Sequence, residues 1–389
     1  MSRQPSHSRV LPLLTAVITV CSAISMSAQP ASFVYRLGKD TVAIEQYTRT
    51  ATSLQGDMVQ RNGAAVTRLQ YQVTLGKDGA PTAATVKRLQ PDGTPVAAGA
   101  RETRFQFTAD SVVREAVFAD SVQRRAFKAS KALLVSPTFM YGLTELAAMV
   151  RKSGKAADSL PAIGMTGGLG YVGLTAVGGD TVRLRGGPYA MVLRFDASSK
   201  LLSVDGTFTT NKSIATRGAG GLDITAIAKA MKPTGTLSAR DVARGAFGQG
   251  GIVLVDYGRP SVRERSVWGG TLVPFDSVWR AGANDATHLF TTRALVAGGT
   301  TVAPGMYSLF VQHTRNGTFL IVNKQTAQWG TVYNPALDVV RIPMTLTDAS
   351  QFVEELTVTV RSLGGSNGAI EFAWGPKVAS ATFVAQVAR

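Results

Sequence analysis

Apolar and polar residues alternate at a period of two along much of this 389-residue chain. The stretch FVYRLGKDTVAIEQYTR (33–49) alternates on both sides of Gly38-Lys39-Asp40, and residues 66–75 and 82–89 do the same across Gly76-Lys77-Asp78-Gly79. Successive side chains of a strand point to opposite faces, so this period with turn residues between the runs predicts β-hairpins. The chain has forty glycines, many of them between such runs, which favours a mostly β fold.

Two stretches carry the helical period instead. Near 139–152, four apolar residues recur at spacings of three and four, at Leu143, Leu146, Ala147 and Val150. A second apolar stripe spans 222–232. One or two helices among many antiparallel strands predict a curved sheet or half-barrel wrapped around a helix, a shape that also suits carriage of a lipid.

Composition divides the chain near residue 235, after an Ala- and Gly-rich segment and Lys232-Pro233-Thr234-Gly235. We therefore expect a β-rich N-terminal domain at 29–235 and a second domain at 236–389. In the second, short strands with frequent turns predict a jelly-roll-like β-sandwich. Its tail is expected to form a hairpin in which residues 369–375 and 377–387 pair across Gly375-Pro376.

The first 28 residues have the pattern of a secretory signal peptide. A basic, polar start is followed by an uncharged apolar run and small residues, which predicts cleavage after Ala28. The alternatives are a retained anchor, for which the run is shorter than the roughly 20 residues of a spanning helix, and a lipid on Cys21, which follows the bulky Val20. The sequence thus predicts export to the periplasm, outer envelope or exterior, without disulfides because Cys21 is the only cysteine.

Charge restricts the partners. The formal net charge is +16, and loss of Arg3 and Arg9 with the signal peptide leaves +14. These charges are scattered without an aromatic-basic pattern, so nucleic acid is not expected, whereas a glycan, lipid or anionic small molecule is. No run beyond the signal peptide is long enough for a transmembrane helix. The oligomeric state does not follow from the pattern.

One set of motifs resembles a known family. The chain carries Tyr257-Gly258-Arg259-Pro260, then Gly-Thr-Leu-Val-Pro (270–274), then Trp-Arg-Ala-Gly-Ala-Asn (279–284). Over about 237–389 it resembles the DUF2911 family, secreted bacterial proteins without a known function. The resemblance implies that setting and no reaction. Two positions depart from it: Glu264 stands where the family commonly has glycine, and Asp285 where it commonly has glutamate.

Candidate binding residues cluster around these motifs. They share polar or aromatic side chains suited to ligands: arginines to grip a carboxylate, sulfate or phosphate, Asn and Asp to bond hydroxyls, and Trp to stack on a sugar. The candidates are Asp256, Arg259, Trp279, Arg280, Asn284, Asp285 and His288. The competing interpretation is an ion-pair network within loops, in which Gly282 and Asn284 only supply turn conformations.

The sequence gives less support to a catalytic site or a metal site than to a binding site. The alternative to a binding module is a hydrolase that uses Asp256 or Asp285, with Arg259 and Arg280 holding an anionic group. No zinc site is expected, since His288 and His313 are the only histidines after cleavage and no cysteine remains. Residues 168–173 match G-x-G-x-x-G without a βαβ unit, so they predict a loop or bulged strand. We therefore predict no cofactor, no metal and no identifiable catalytic residue, and an exported, envelope-associated binding module.

Overall fold

A computed structural model of the protein describes residues 30–386, apart from 136–140, 165–167, 187–188, 208, 210–211, 236 and 249. The predicted signal peptide, Cys21 and the cleavage site after Ala28 lie outside the described residues. The described chain is mostly β, in a large N-terminal antiparallel sheet and a separate C-terminal sheet, which confirms the predicted fold class.

The first half forms one open sheet. Its strands on one side of the sheet are β1 (Ala31–Leu37), β2 (Asp40–Arg49), β3 (Ser53–Asn62), β4 (Ala65–Leu75), β5 (Pro81–Leu89), β6 (Glu102–Phe107), β7 (Ser111–Val117) and β8 (Val122–Lys128). Those on the other side are β9 (Leu133–Val135), β10 (Ala157–Gly164), β11 (Leu169–Ala176), β12 (Thr181–Gly186), β13 (Tyr189–Phe195), β14 (Leu201–Asp205) and β15 (Ile214–Ala219).

The strand order explains how this sheet is joined. Strands β8 to β1 run in reverse chain order, β1 pairs with β15, and the order then returns to β9, so β8 and β9 form the edges. Every pairing is antiparallel except that of β9 with β10. Buried and more exposed side chains alternate along the strands as predicted. In β4, for example, one face is buried and carries Leu69, Tyr71, Val73 and Leu75. Residues 168–173 run into β11, in agreement with the strand interpretation.

Both predicted helices are present. Helix α1 (Tyr141–Ser153) contacts β9, β11 and β12 and buries Ala147 and Val150. Helix α2 (Ile224–Ala230) packs Ile224 and Ala228 on Val59, and Asp223 caps it by accepting a hydrogen bond from Ala226 N at 2.9 Å. None of the helices in the described ranges is long and apolar enough to cross a membrane.

The second half forms the C-terminal sheet. Its strands in the described residues are β16 (Arg240–Phe247), β17 (Gly251–Gly258), β18 (Ser277–Trp279), β19 (Thr287–Thr291), β20 (Leu295–Ala297), β21 (Thr300–Val302), β22 (Gly305–Thr314), β23 (Gly317–Asn323), β24 (Asp338–Gly364) and β25 (Asn367–Ala385), with a 3₁₀ turn at Pro335–Leu337. The order is β16-β17-β19-β22-β23-β24-β25-β20-β21, and β18 pairs with β22. Strands β16 and β17 also contact β24, several positions away in that order, so the sheet folds over onto itself as the predicted sandwich requires.

The expected hairpin at the C-terminal tail is wrong. Residues 367–385 form the single strand β25, which pairs with β24. Gly375 has φ +61° and lies where the register shifts, so Gly375-Pro376 forms an irregularity within one strand instead of a turn between two. The turn lies earlier, between Gly364 and Asn367, where Gly364 and Gly365 also have positive φ.

The tip of the β1–β2 hairpin contacts the loop after β17. Arg263 donates to the Asp40 carboxylate, and Lys39 Nζ lies 3.0 Å from Glu264 Oε1. The hairpin tip approaches closely because Gly38 has no side chain: a Cβ there would lie 2.2 Å from Arg263 O. These contacts bring the two sheets together at one place, beside the motif loops.

Candidate functional site

Two glycines bring the motif loops together backbone to backbone. A Cβ on Gly258 would lie 2.4 Å from Ala283 O, and one on Gly282 would lie 2.5 Å from Thr287 Oγ1. Neither position has space for a side chain, which gives a packing reason for glycine in both motifs. Because the loops touch, Pro260 and the segment 280–284 lie side by side and form one surface. We name this surface the loop wall.

A pair of tryptophans supports this wall. Trp279 ends β18, and its ring stacks on Trp374 of β25 with centroids 5.3 Å apart and an interplanar angle of 18°. Trp279 is 7% exposed and Trp374 1%. The stacked rings are held on all sides, so they form a rigid apolar surface next to the polar loop.

The wall closes one side of a cavity of about 290 Å³ between the two sheets, which we name the cationic cavity. The N-terminal half contributes Tyr35, Leu37, Val42, Ala43, Gln60, Arg61, Lys212 and Ser213. The C-terminal half contributes Leu237, Ser238, Pro260, Ser261, Arg263, Arg265, Leu272, Trp279, Arg280, Gly282, Ala283, Asn284 and Trp374. Neither half alone encloses it.

Five cations line this cavity, and no Asp or Glu is among its described lining residues. Of the five, Arg263 has a carboxylate partner in Asp40. Three others are held by main-chain carbonyl oxygens. Arg61 Nε donates to Thr41 O at 2.7 Å, Arg265 Nε to Val262 O at 3.0 Å, and Lys212 Nζ to Thr271 O at 3.1 Å. Such bonds orient the cations and leave their charges unneutralised.

Two pKa shifts reflect this crowding. Burial, and after it repulsion from Arg280 and Arg265, lowers the pKa of Lys212 to about 8. Burial and repulsion from Arg263 lower the pKa of Arg265 to about 10, although Glu354 and Asp40 act in the opposite direction. Both shifts have the sign expected for cations that are removed from water beside other cations. An anion in the cavity would oppose both causes.

The structure brings three of the seven candidate residues to this cavity: Trp279, Arg280 and Asn284. Arg280 is 9% exposed, and its Nη1 donates to Asn284 O at 3.4 Å. Asn284 has φ +61°, so it supplies a turn conformation as well as a cavity wall. For this residue the ligand and turn interpretations are compatible.

The other four candidates lie outside the cavity. Arg240 donates to both Asp256 oxygens, at 3.0 and 2.7 Å, and His288 Nδ1 lies 3.7 Å from Asp256 Oδ2. Arg259 pairs with Asp241 and Glu355, each at 3.5 Å. The side chain of Asp285 is exposed and does not line the cavity. Asp256 and Arg259 thus pair with charged side chains on strands β16 and β24.

Sequence reasoning missed Arg61, Lys212, Arg263 and Arg265. Arg61 and Lys212 come from strands and loops with no motif around them, and they reach the site only because the sheets dock. Arg265 did carry a signal, since it lies between the first and second motif elements. Within the described residues, no group of three or more His, Cys, Asp or Glu side chains is arranged to hold a metal ion.

No curated protein matches the chain. The linear motifs that build the loop wall of the cavity fall within residues 238–383, which match the model of a family described as a protein of unknown function, DUF2911. Residues 238–383, in the C-terminal part of this chain, therefore resemble the DUF2911 family.

Proposed function

We propose that the protein is an exported, non-catalytic binding protein whose ligand is a small anionic molecule held in the cationic cavity. The observation that carries this proposal is the convergence of Arg61 and Lys212 from one half with Arg265 and Arg280 from the other, around a space lined by no carboxylate. Cavities between two structural units are common places for small ligands.

Electrostatics supplies the physical argument. Partly buried like charges repel more strongly than charges in water, because the effective dielectric constant near a protein interior is lower. The cations nevertheless stay together, held by main-chain carbonyls. A bound anion offsets the repulsion and accepts charge-assisted hydrogen bonds, so binding an anion is the most direct use of this arrangement.

No observation favours the hydrolase alternative. Asp256 is engaged by Arg240, and Asp285 is not among the residues that line the cavity. The remaining lining groups are cations, hydroxyls, amides and apolar side chains, which suit recognition. For the same reason, an anionic metabolite or an acidic sugar fits this site better than a neutral lipid.

The test is calorimetric titration of the mature protein at low ionic strength with inorganic phosphate, sulfate, mono- and dicarboxylates and acidic sugars. At least one anion is expected to bind, with an affinity that falls as salt is added. Arg280→Gln and Arg265→Gln should each weaken binding about tenfold or more, equivalent to about 1.4 kcal/mol. Arg244→Gln is the matched control, because Arg244 is an exposed arginine on β16 outside the cavity.

Binding that is unaffected by the cavity variants would place the ligand elsewhere. Failure of every anion in the panel to bind would remove the proposal.

A further inference from the structure

We infer that the ligand is a phosphate monoester, a dianion attached to a compact apolar group that lies against Leu272 and the Trp279–Trp374 pair. This inference rests on the proposed function and names the chemical class of the ligand. Three features of the cavity support it: the amount of charge, the N–H groups that Arg61 and Arg265 keep outside their main-chain bonds, and the apolar part of the lining.

The amount of charge favours more than one negative charge on the ligand. The Asp40 carboxylate neutralises Arg263, whereas Arg61, Lys212 and Arg265 make no ion pair with the described residues. A monoanion would leave most of this charge uncompensated, so a dianion gains more from the same site.

The arginines are oriented for tetrahedral or planar oxyanions. Arg265 uses Nε and Nη2 for the carbonyl oxygens of Val262 and Ser261, at 3.0 and 2.8 Å, which leaves Nη1 outside these bonds. Among the described residues, Arg61 donates through Nε to Thr41 O at 2.7 Å, and its two Nη groups lie outside this bond. A guanidinium fixed along one edge presents its other edge in a set direction, and that fork matches the oxygen spacing of phosphate.

Part of the cavity lining is apolar. Leu272, Trp279 and Trp374 line the cavity together with the cations. A cavity of about 290 Å³ is at the small end for ligand sites, so we expect a group the size of one ring.

Phenyl phosphate, phenyl sulfate and inorganic phosphate test these points in the full mature chain. Phenyl phosphate and phenyl sulfate have nearly the same shape, but near pH 7 the phosphate is mostly a dianion because its second pKa is about 6. Phenyl phosphate is expected to bind about tenfold more tightly than phenyl sulfate, through charge, and about tenfold more tightly than inorganic phosphate, through its ring.

Two variants separate the contributions. Arg265→Gln should reduce the difference between phenyl phosphate and phenyl sulfate. Leu272→Ala should weaken phenyl phosphate and leave inorganic phosphate unchanged. The control Arg244→Gln should alter neither, since Arg244 lies on β16 away from the cavity.

The outcomes distinguish this inference from the proposed function. Equal binding of phenyl sulfate and phenyl phosphate would contradict the preference for a dianion. The proposal that the cavity binds an anion would still stand. Tighter binding of phenylmalonate, a dicarboxylate of similar size, overturns the phosphate ester and points to carboxylates. If other anions bind and none of the phenyl compounds binds, the expectation that the ligand carries an apolar group is wrong. Only the failure of every anion removes the proposed function itself.

Discussion

Lys212 is the residue at which ligand binding and stability have opposite requirements. Its pKa is lowered to about 8, first by burial and then by Arg280 and Arg265. A lysine whose folded pKa lies below its unfolded value destabilises the fold while it is charged, and this cost disappears as the pH rises from about 8 to about 10.5. The same positive charge attracts the anion.

Lys212→Met is therefore expected to stabilise the unliganded protein by about 1 kcal/mol near pH 7, after allowance for solvent screening and for its lost hydrogen bonds. It should weaken anion binding about tenfold. In the wild type, affinity should fall as the pH rises through about 8, because Lys212 loses its proton there. Thermal unfolding and titration from pH 6 to 10 test both effects, with Lys200→Met on the exposed surface as the control. A variant that is less stable or binds equally well contradicts this account.

Glu45 is a second residue whose charge state affects the fold. It is 2% exposed in the N-terminal core, and burial raises its pKa to about 7, although hydrogen bonds from Tyr71 and Tyr35 lower it. Its folded pKa is above the unfolded value, so its stabilising effect is fully present below about pH 4.5 and is lost as the pH rises through about 7.

We expect the free energy of unfolding of the wild type to fall by roughly 3 kcal/mol, relative to Glu45→Gln, between pH 4.5 and 8. The amide keeps the size and hydrogen-bonding capacity of the carboxyl and does not ionise. Urea unfolding of both proteins at several pH values measures the difference between them, which cancels the other titrating groups. Parallel pH profiles would show that Glu45 does not ionise in this range.

At the scale of elements, the parts of the fold set by local pattern were predictable. The hairpins of β1–β2 and β4–β5 follow from alternation around turn residues, and the helices 139–152 and 222–232 correspond to Tyr141–Ser153 and Ile224–Ala230. The tail was not predictable in this way. Gly375-Pro376 has turn chemistry, yet β24 continues past it and offers a partner on both sides, so tertiary pairing overrides the local signal.

The candidate site shows the same division. Motif residues marked the wall at 279–284, because a dense polar loop is visible in sequence. The role of the cations Arg61 and Lys212 could not be predicted from the sequence, because only the docking of the β1–β2 hairpin brings them to that wall. Glu264 illustrates the contact between the hairpin and this loop. It has φ +62°, a conformation suited to the glycine common in the family. Its carboxylate pairs with Lys39 of the hairpin.

At the scale of the whole molecule, the two largest apolar clusters of the described residues are separate, one in each half, and the halves meet at a small polar contact. The N-terminal core includes Phe105 and Leu193, the C-terminal core includes Phe372 and Leu309, and no residue belongs to both. The hairpin tip at Gly38 therefore decides how the halves approach without being part of either core. Ligand binding in the cationic cavity should depend on this contact.

Gly38→Val tests that dependence. Gly38 has φ +59°, and a side chain there would collide with Arg263 O at 2.2 Å, so the hairpin must withdraw from the loop. We expect both cores to stay folded by circular dichroism, anion affinity to fall at least about tenfold, and proteolysis between 220 and 239 to accelerate.

Gly299→Val is the matched control. Gly299 is also at a hairpin turn, with φ +77°, and no neighbouring atom lies within 4 Å of its added Cβ. It bears the same backbone cost of about 1–2 kcal/mol without a collision between the halves. If Gly38→Val binds the anion as the control does, the cavity does not require the hairpin contact, and each half must hold its ligand groups independently.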